Sequence, residues 1–406
     1  MISVTRLYCG EEGPGDAIRY GEKAVGATRR SHAASIREDE PPRSAAERRP
    51  VVVWNVTRSC NLKCIHCYTD SESRRYEGEL TGGEARVMLD DLAAFRIPAL
   101  LLSGGEPLMR PDLFELAEYA VACGLRLTLS TNGTLLTEAV ARRVKDLGFT
   151  YVGISLDGVG RVNDQFRGVE GAFERTMAGF RACVAAGQRV GLRMTLTRHN
   201  AQDLDNIFDF IERENIDRAC FYHLAYSGRG GALAEADLTA AESRRALDTI
   251  LRRTRDFFER GLRKDILTVG NHVDGVYILM KLREEGSPRV KDVERHLIWN
   301  GGGLYSSGVG IGDIDFNGEV HPDQFWMHYT LGNVRERPFG EIWMDTSDPL
   351  MKGLKERASH IRGKCAGCRH FQMCGGSLRV RADVAFGDPW GWDPGCYLSD
   401  EEIGAL

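Results

Sequence analysis

The stretch Val51-Val-Val-Trp-Asn-Val-Thr-Arg-Ser-Cys60-Asn-Leu-Lys-Cys64-Ile-His-Cys67-Tyr68 decides how this chain is read. Its first half is a short, valine-rich apolar run, the composition of a strand buried on both faces. Its second half sets three cysteines directly after that strand. Enzymes built on parallel sheets carry their chemistry in loops at the carboxyl ends of strands. Thiolates select zinc or iron–sulfur clusters. A closed zinc site wants four ligands, whereas three thiolates on a four-iron cluster leave one iron open to a substrate or cofactor. His66 offers a fourth zinc ligand, but it is squeezed between Ile65 and Cys67, which makes joint ligation awkward.

Working outward, the apolar runs Val51–Thr57, Pro98–Gly104, Leu125–Thr131, Tyr151–Leu156, Val190–Thr197 and Ala219–Tyr226 read as strands. Amphipathic helices are expected between them, near Pro111–Cys123, Glu138–Leu147, Ala172–Ala186 and Ala201–Glu214. Ahead of these, another helix opens at Thr81 with Glu84 three residues on, a capping box, and carries Met88, Leu89, Leu92 and Phe95 on one face. Gly124, Gly148 and Gly187 follow three of these helices, where a left-handed residue ends the turn. This alternation implies an α/β fold with a parallel sheet and right-handed crossovers.

After Tyr226 the pattern changes. A charged helix is expected over about Thr239–Leu262, then irregular sequence to Gly303. Val309–Phe316 and Glu319–His321 read as a hairpin joined at Asn317-Gly318, a type I′ pair. Residues 29–50 are polar and read as a poorly ordered lead-in with a docked segment at the start. Four segments are expected: a lead-in over 1–50, a core over 51–235, a connecting region over 236–310 and an extension over 311–406.

That extension carries Cys365, Cys368, Cys374 and Cys396, a full set of four thiolates. A coordinatively closed iron–sulfur cluster or a zinc knuckle satisfies it equally. Cys9, Cys123, Cys183 and Cys220 are scattered, and the last three sit in settings where buried structural thiols are expected. The chain has 406 residues and a net charge of -5, with no bias toward nucleic acid or an anionic membrane. Met1–Gly10 is too short and polar for a signal peptide, Arg29-Arg30 has no apolar run behind it, and no run is long enough to span a bilayer. A cytoplasmic protein without membrane insertion is expected.

The spacing of Cys60, Cys64 and Cys67, with Tyr68 behind them, is similar to the signature of the radical S-adenosylmethionine (SAM) enzymes. Three further segments fall in that family's order: Ser103-Gly104-Gly105-Glu106-Pro107, Ser130-Thr131-Asn132-Gly133 and Ser155-Leu156-Asp157-Gly158, each at a strand end. The resemblance implies a partial (β/α)6 radical SAM barrel whose first cluster binds SAM and cleaves it to a 5′-deoxyadenosyl radical. It implies that Gly104, Gly105 and Glu106 serve the SAM amino group and Ser130 and Asn132 its ribose. Ser155 and Asp157 are implied as further contacts, with Arg193 facing the carboxylate. The tail resembles the family's SPASM or twitch extension, which implies a second 4Fe–4S cluster on Cys365, Cys368, Cys374 and Cys396. The full extension has a cysteine where this chain has Asp323, so one auxiliary cluster is implied, not two. A low-potential electron donor such as ferredoxin or flavodoxin, and sensitivity to oxygen, are implied as well.

Phe221-Tyr222-His223-Leu224-Ala225-Tyr226-Ser227-Gly228-Arg229-Gly230, Arg379-Val380-Arg381 and Gly387-Asp388-Pro389-Trp390 resemble a narrower group, the radical SAM enzymes that trim side chains from modified tetrapyrroles. The resemblance implies a tetrapyrrole substrate and, within the group, the 12,18-didecarboxysiroheme deacetylase reaction, loss of two ring acetates. Arg229, Arg379 and Arg381 are candidates to grip carboxylates, and His223, His272 and His321 to ligate substrate iron or move protons. Three other readings stay open: a haem d1 enzyme acting on propionates of the same precursor, a peptide maturase, and a non-catalytic electron carrier or zinc module.

Overall fold

A computed structural model of the chain describes residues 1–21, 48–232 and 234–404. In chain order its strands are β1 (Ile2–Ser3), β2 (Val51–Asn55), β3 (Leu100–Ser103), β4 (Leu127–Thr131), β5 (Val152–Ser155), β6 (Val190–Leu196), β7 (Arg218–His223), β8 (Asp265–Val269), β9 (Ile311–Ile314), β10 (Glu319–His321) and β11 (Gly332–Asn333). By packing, the described residues form two units: Arg49–Asp237 with Gly310–Lys352, and Met1–Arg48 with Leu238–Val309 and Gly353–Leu406.

In the first unit β2 to β7 lie side by side in chain order and all run parallel. Residues such as Val52, Leu100, Leu102, Leu129, Val152 and Ile154 are buried, as strands covered on both faces require. Helices Gly82–Phe95, Leu113–Ala122, Glu138–Asp146, Ala172–Ala185 and Leu204–Arg213 connect the strands. All six expected strands are present, each a little shorter than its apolar run. The Thr81 hydroxyl accepts from the Glu84 N–H while Glu84 Oε2 accepts from the Thr81 N–H, which completes the capping box. Gly124, Gly148 and Gly187 take φ of +83°, +81° and +66°.

The second half departs from expectation in three ways. First, β9 adds in parallel to the free edge of β2, Val52 opposite Gly312 and Trp54 opposite Ile314. Residues 310–352 therefore belong with the parallel sheet, not with the cysteine tail, and the expected 311–406 extension is not one packing unit. Second, the hairpin turn is not type I′. Gly318 takes φ +83° but Asn317 stays at negative φ, and the Gly318 N–H returns to the Asp315 carbonyl. The Asp315 carboxylate caps the turn by accepting from the Asn317 and Glu319 N–H groups, which favours this longer loop.

Third, the region expected to be irregular is ordered. In the second unit it holds β8 and helices Val273–Glu284 and Val290–Asn300. β8 pairs antiparallel with β1, so the docked start of the chain finds a partner 266 residues on, Ile2 opposite Thr268. The charged helix runs over Ala240–Glu259 behind its own capping box, Thr239 with Glu242. Most of the expected polar lead-in lies outside the described residues.

Candidate active site

Cys60, Cys64 and Cys67 lie in the loop after β2 and pack with Leu62, Ala172 and Val169; Cys60 and Cys64 are buried and Cys67 is half-buried. Neighbouring backbone fixes this loop. Lys63 and Ile65 donate their N–H groups to the Arg167 and Phe166 carbonyls, at 3.1 Å each, and Cys60 donates to the Glu72 carbonyl at 3.0 Å. From the segment after β7, Arg229 donates through Nε to the Cys64 carbonyl at 2.9 Å and through both terminal nitrogens to the Ser71 carbonyl. A Cβ on Gly228 would lie 2.5 Å from the Cys67 and Tyr68 carbonyls. The Ser227–Gly230 motif thus clamps the cysteine loop. Arg229, expected to grip substrate, is spent on that clamp and on Asp70 at 2.7 Å.

Each sulfur has a polar neighbour. The Leu62 N–H reaches the Cys60 sulfur at 3.4 Å, Arg167 Nη1 reaches Cys64 at 3.5 Å, and the Ser71 N–H reaches Cys67 at 3.4 Å. Burial pushes the Cys60 thiol up to about 12, and burial raises Cys64 against the pull of Arg167. Protonated thiols in a closed pocket ligate only when a metal displaces their protons. Arg167, which sequence reasoning missed, is buried and paired with Asp157. Burial opposes its charge, while Asp157 and the Cys64 sulfur more than restore it. His66 turns its ring onto Phe166 at 4.7 Å and toward Asp157 at 3.7 Å. Burial holds its pKa down to about 4.

The segments after β3, β4 and β5 close around this loop. A Cβ on Gly105 would meet the Ser59 carbonyl at 2.3 Å, and one on Gly104 the Thr57 carbonyl at 2.4 Å, so only glycine lets these backbones touch. Glu106 is fully buried and accepts from Thr131 Oγ1 at 2.7 Å, the Asn132 N–H at 2.8 Å and the Leu108 N–H at 3.1 Å. It ties the β3 end to the β4 end behind the site. Asp157 is likewise buried, accepting from the Thr195 N–H besides pairing with Arg167. Both acids, expected at the cofactor, are internal braces. Asn132 donates to Asn61 Oδ1 at 2.8 Å and lies 3.9 Å from the Cys60 sulfur. Arg193 donates to Ser130 Oγ at 2.7 Å, and Ser155 is half-buried at the end of β5.

The second unit holds the other cysteine group. Cys365, Cys368, Cys374 and Cys396 line one cavity together with Val273, Phe371 and Leu398. Burial raises all four thiols, Cys396 to about 11 and Cys374 well above its ordinary value. Four converging thiols in an apolar pocket fit a closed cluster. Arg379 and Arg381, expected at substrate carboxylates, are fully buried here. Arg379 donates to the carbonyls of Pro389, Gly391 and Gly376, and Arg381 forms a two-bonded pair with Asp393 at 2.8 and 2.7 Å. They are spent on the scaffold because a buried guanidinium needs internal acceptors.

The three histidines also differ from each other. His223 is half-buried at the carboxyl end of β7. His272 is buried in the second unit, where its backbone N–H donates to Ser377 Oγ at 3.0 Å. His321 is buried in β10. Among the scattered thiols, Cys183 and Cys220 are buried as expected, whereas Cys123 is half-exposed beside Asp90.

Residues 54–211 match the family model of the radical SAM superfamily, and residues 312–369 match that of the SPASM iron–sulfur cluster-binding domain. The chain is 48% identical to an Fe-coproporphyrin III synthase of Methanosarcina barkeri, covering 100% of this chain and 99% of that protein. It is 45% identical to a pre-heme d1 synthase of Dinoroseobacter shibae, covering 90% of each. Among solved structures, anSMEcpe with bound AdoMet superposes with a TM-score of 0.68 at 19% identity, over 88% of this chain and 96% of that one. No helix among the described residues is long and apolar enough to cross a membrane.

Proposed function

The chain belongs to the radical SAM superfamily, in the group with a SPASM iron–sulfur extension, and from that premise we propose that it removes the two acetate side chains of 12,18-didecarboxysiroheme to give iron-coproporphyrin III. The observation that carries this reading is the 48% identity to the Fe-coproporphyrin III synthase, sustained over both chains nearly end to end. The enzyme's cofactors are SAM and two iron–sulfur clusters.

In this reading Cys60, Cys64 and Cys67 hold the SAM-binding cluster, which when bound supplies the 5′-deoxyadenosyl radical, and the remaining work falls to the chain's own residues. Gly104 and Gly105 bring bare backbone against the cysteine loop, where the SAM amino group docks. Ser130 and Arg193, joined at 2.7 Å, present a hydroxyl and a cation to ribose and carboxylate. Asn132 and Ser155 complete that wall. Glu106, Asp157 and Arg167 lie behind it and keep the strand ends in register. Cys365, Cys368, Cys374 and Cys396 hold the auxiliary cluster, and an electron donor of the ferredoxin or flavodoxin class supplies reducing equivalents. Of the six substrate candidates, His223 keeps the best claim, since it stands at the same carboxyl ends as the cysteine loop.

Anaerobic reconstitution with iron and sulfide, followed by SAM, a strong reductant and 12,18-didecarboxysiroheme, tests the proposal by mass spectrometry of the tetrapyrrole. Stepwise loss of two acetates with 5′-deoxyadenosine formed is the expected result. The 45% identity to the pre-heme d1 synthase favours a second reading, in which the propionates change and the acetates stay.

A further inference from the structure

Outside both cysteine sites, the β9–β10 hairpin gathers another set of metal-type ligands. Asp315, Glu319 and His321 each bring one ligand atom within 4.8 Å of the other two. Asp315 and His321 are buried and Glu319 is half-buried.

The local bonding presets these atoms. Oδ1 of Asp315 is occupied by the N–H groups of Asn317 and Glu319, at 2.8 and 2.9 Å, which leaves Oδ2 facing His321. Nδ1 of His321 lies 2.8 Å from the Tyr329 carbonyl oxygen. A carbonyl only accepts, so Nδ1 carries a proton and Nε2 is the ligating atom; burial opposes the ring's charge but the facing Asp315 carboxylate raises its pKa, so a cation binds there by displacing the Nε2 proton. Nε2 has no hydrogen-bond partner although the residue is 0% exposed. It stands 3.9 Å from Asp315 Oδ2. That is too long for a hydrogen bond, yet within the span of two ligands each about 2.1 Å from a common ion. Asp313, on the neighbouring strand β9, is buried as well, and burial pushes its carboxyl well above the usual carboxylate range, so the charge that would meet a cation comes from Asp315 and Glu319.

We propose that Asp315, Glu319 and His321 form a mononuclear site for a first-row divalent cation, distinct from both iron–sulfur sites. One imidazole with two carboxylates suits zinc or manganese and disfavours magnesium and calcium, which take oxygen ligands alone. The ion braces the hairpin beside the radical loop. Asn55 donates to both oxygens of Asp313 on β9, at 3.0 and 3.1 Å, and accepts from the hydroxyl of Tyr68, the residue after Cys67, at 2.9 Å.

The test uses reconstituted holoenzyme with both clusters oxidised, so that they are silent in electron paramagnetic resonance. Manganese(II) is titrated in, and loss of the free-ion signal reports binding. One saturable site per chain, emptied by zinc(II), is expected. His321→Gln and Asp315→Asn should weaken it by about tenfold to a hundredfold, with iron content and circular dichroism unchanged. Should either buried variant fail to fold, Glu319→Gln, at the half-buried ligand, decides with an expected weakening of about tenfold. Absence of saturable binding to the wild type overturns the proposal, and so does binding that Glu319→Gln leaves at wild-type affinity.

Discussion

Arg167 donates to the Cys64 sulfur across 3.5 Å with one terminal nitrogen and pairs with Asp157 through the other, all three side chains being buried. The guanidinium joins the cysteine loop to the β5 end and supplies the positive charge that a buried thiolate needs. Arg167→Met leaves Asp157 buried without its partner, a change that costs about 3–5 kcal/mol. Arg167→Lys keeps the charge and loses the fork, so it should fall between the two. Urea unfolding and iron per chain check this: a wild-type midpoint with full iron in Arg167→Met would contradict the role.

Replacing Cys60, Cys64 or Cys67 by Ala should abolish 5′-deoxyadenosine formation from SAM. Replacing Cys365 should instead remove about four irons per chain. Chromatography for the nucleoside and iron analysis separate the two cases, and SAM cleavage retained in Cys64→Ala would sink the assignment.

Gly105→Ala forces a methyl group to within 2.3 Å of the Ser59 carbonyl, and the atom in the way is backbone that cannot swing aside. The cysteine loop must shift, so cluster occupancy after reconstitution should drop severalfold while the helical circular dichroism signal persists. Normal occupancy would show that the two loops have slack.

Arg335, and then the Thr81 N–H and hydroxyl, pull the Glu84 carboxyl down to about 2. An acid whose folded pKa is depressed contributes stability above its unfolded value of about 4.3, and that contribution vanishes as pH falls toward 2. Urea midpoints of the cluster-free protein should therefore decline from pH 5 to pH 2 by more in wild type than in Glu84→Gln. Equal declines would mean that the Arg335 contact contributes nothing in solution.

Arg381 and Asp393 form a buried pair whose partners should behave as a unit. Arg381→Met and Asp393→Asn should each destabilise by about 3–5 kcal/mol, and the double variant by less than their sum. A substrate-gripping arginine would instead raise KM without moving the unfolding midpoint.

The core's six strands, its capping box and its terminating glycines were legible because each is a local signal: apolar runs, a Thr/Glu spacing, a glycine after a helix. β8 and helices Val273–Glu284 and Val290–Asn300 were not legible. Val273–Glu284 buries every residue from Val273 to Leu279, Asp274 included, so its first two turns show no amphipathic period. β8 depends on a strand at the far end of the chain.

The sequence by itself determined the chemistry. Three cysteines after one strand, four in the tail and the order of Gly-Gly-Glu and Ser-Thr-Asn-Gly segments are covalent facts that no packing alters. Tertiary structure alone decided which polar side chains remain available for that chemistry. Glu106, Asp157, Arg229, Arg379 and Arg381 read as ligand contacts along the chain, and the fold spends all five on its own backbone and ion pairs. The reason is energetic: a charge removed from water must find partners inside the protein, and which partners lie close is fixed only when distant segments pack.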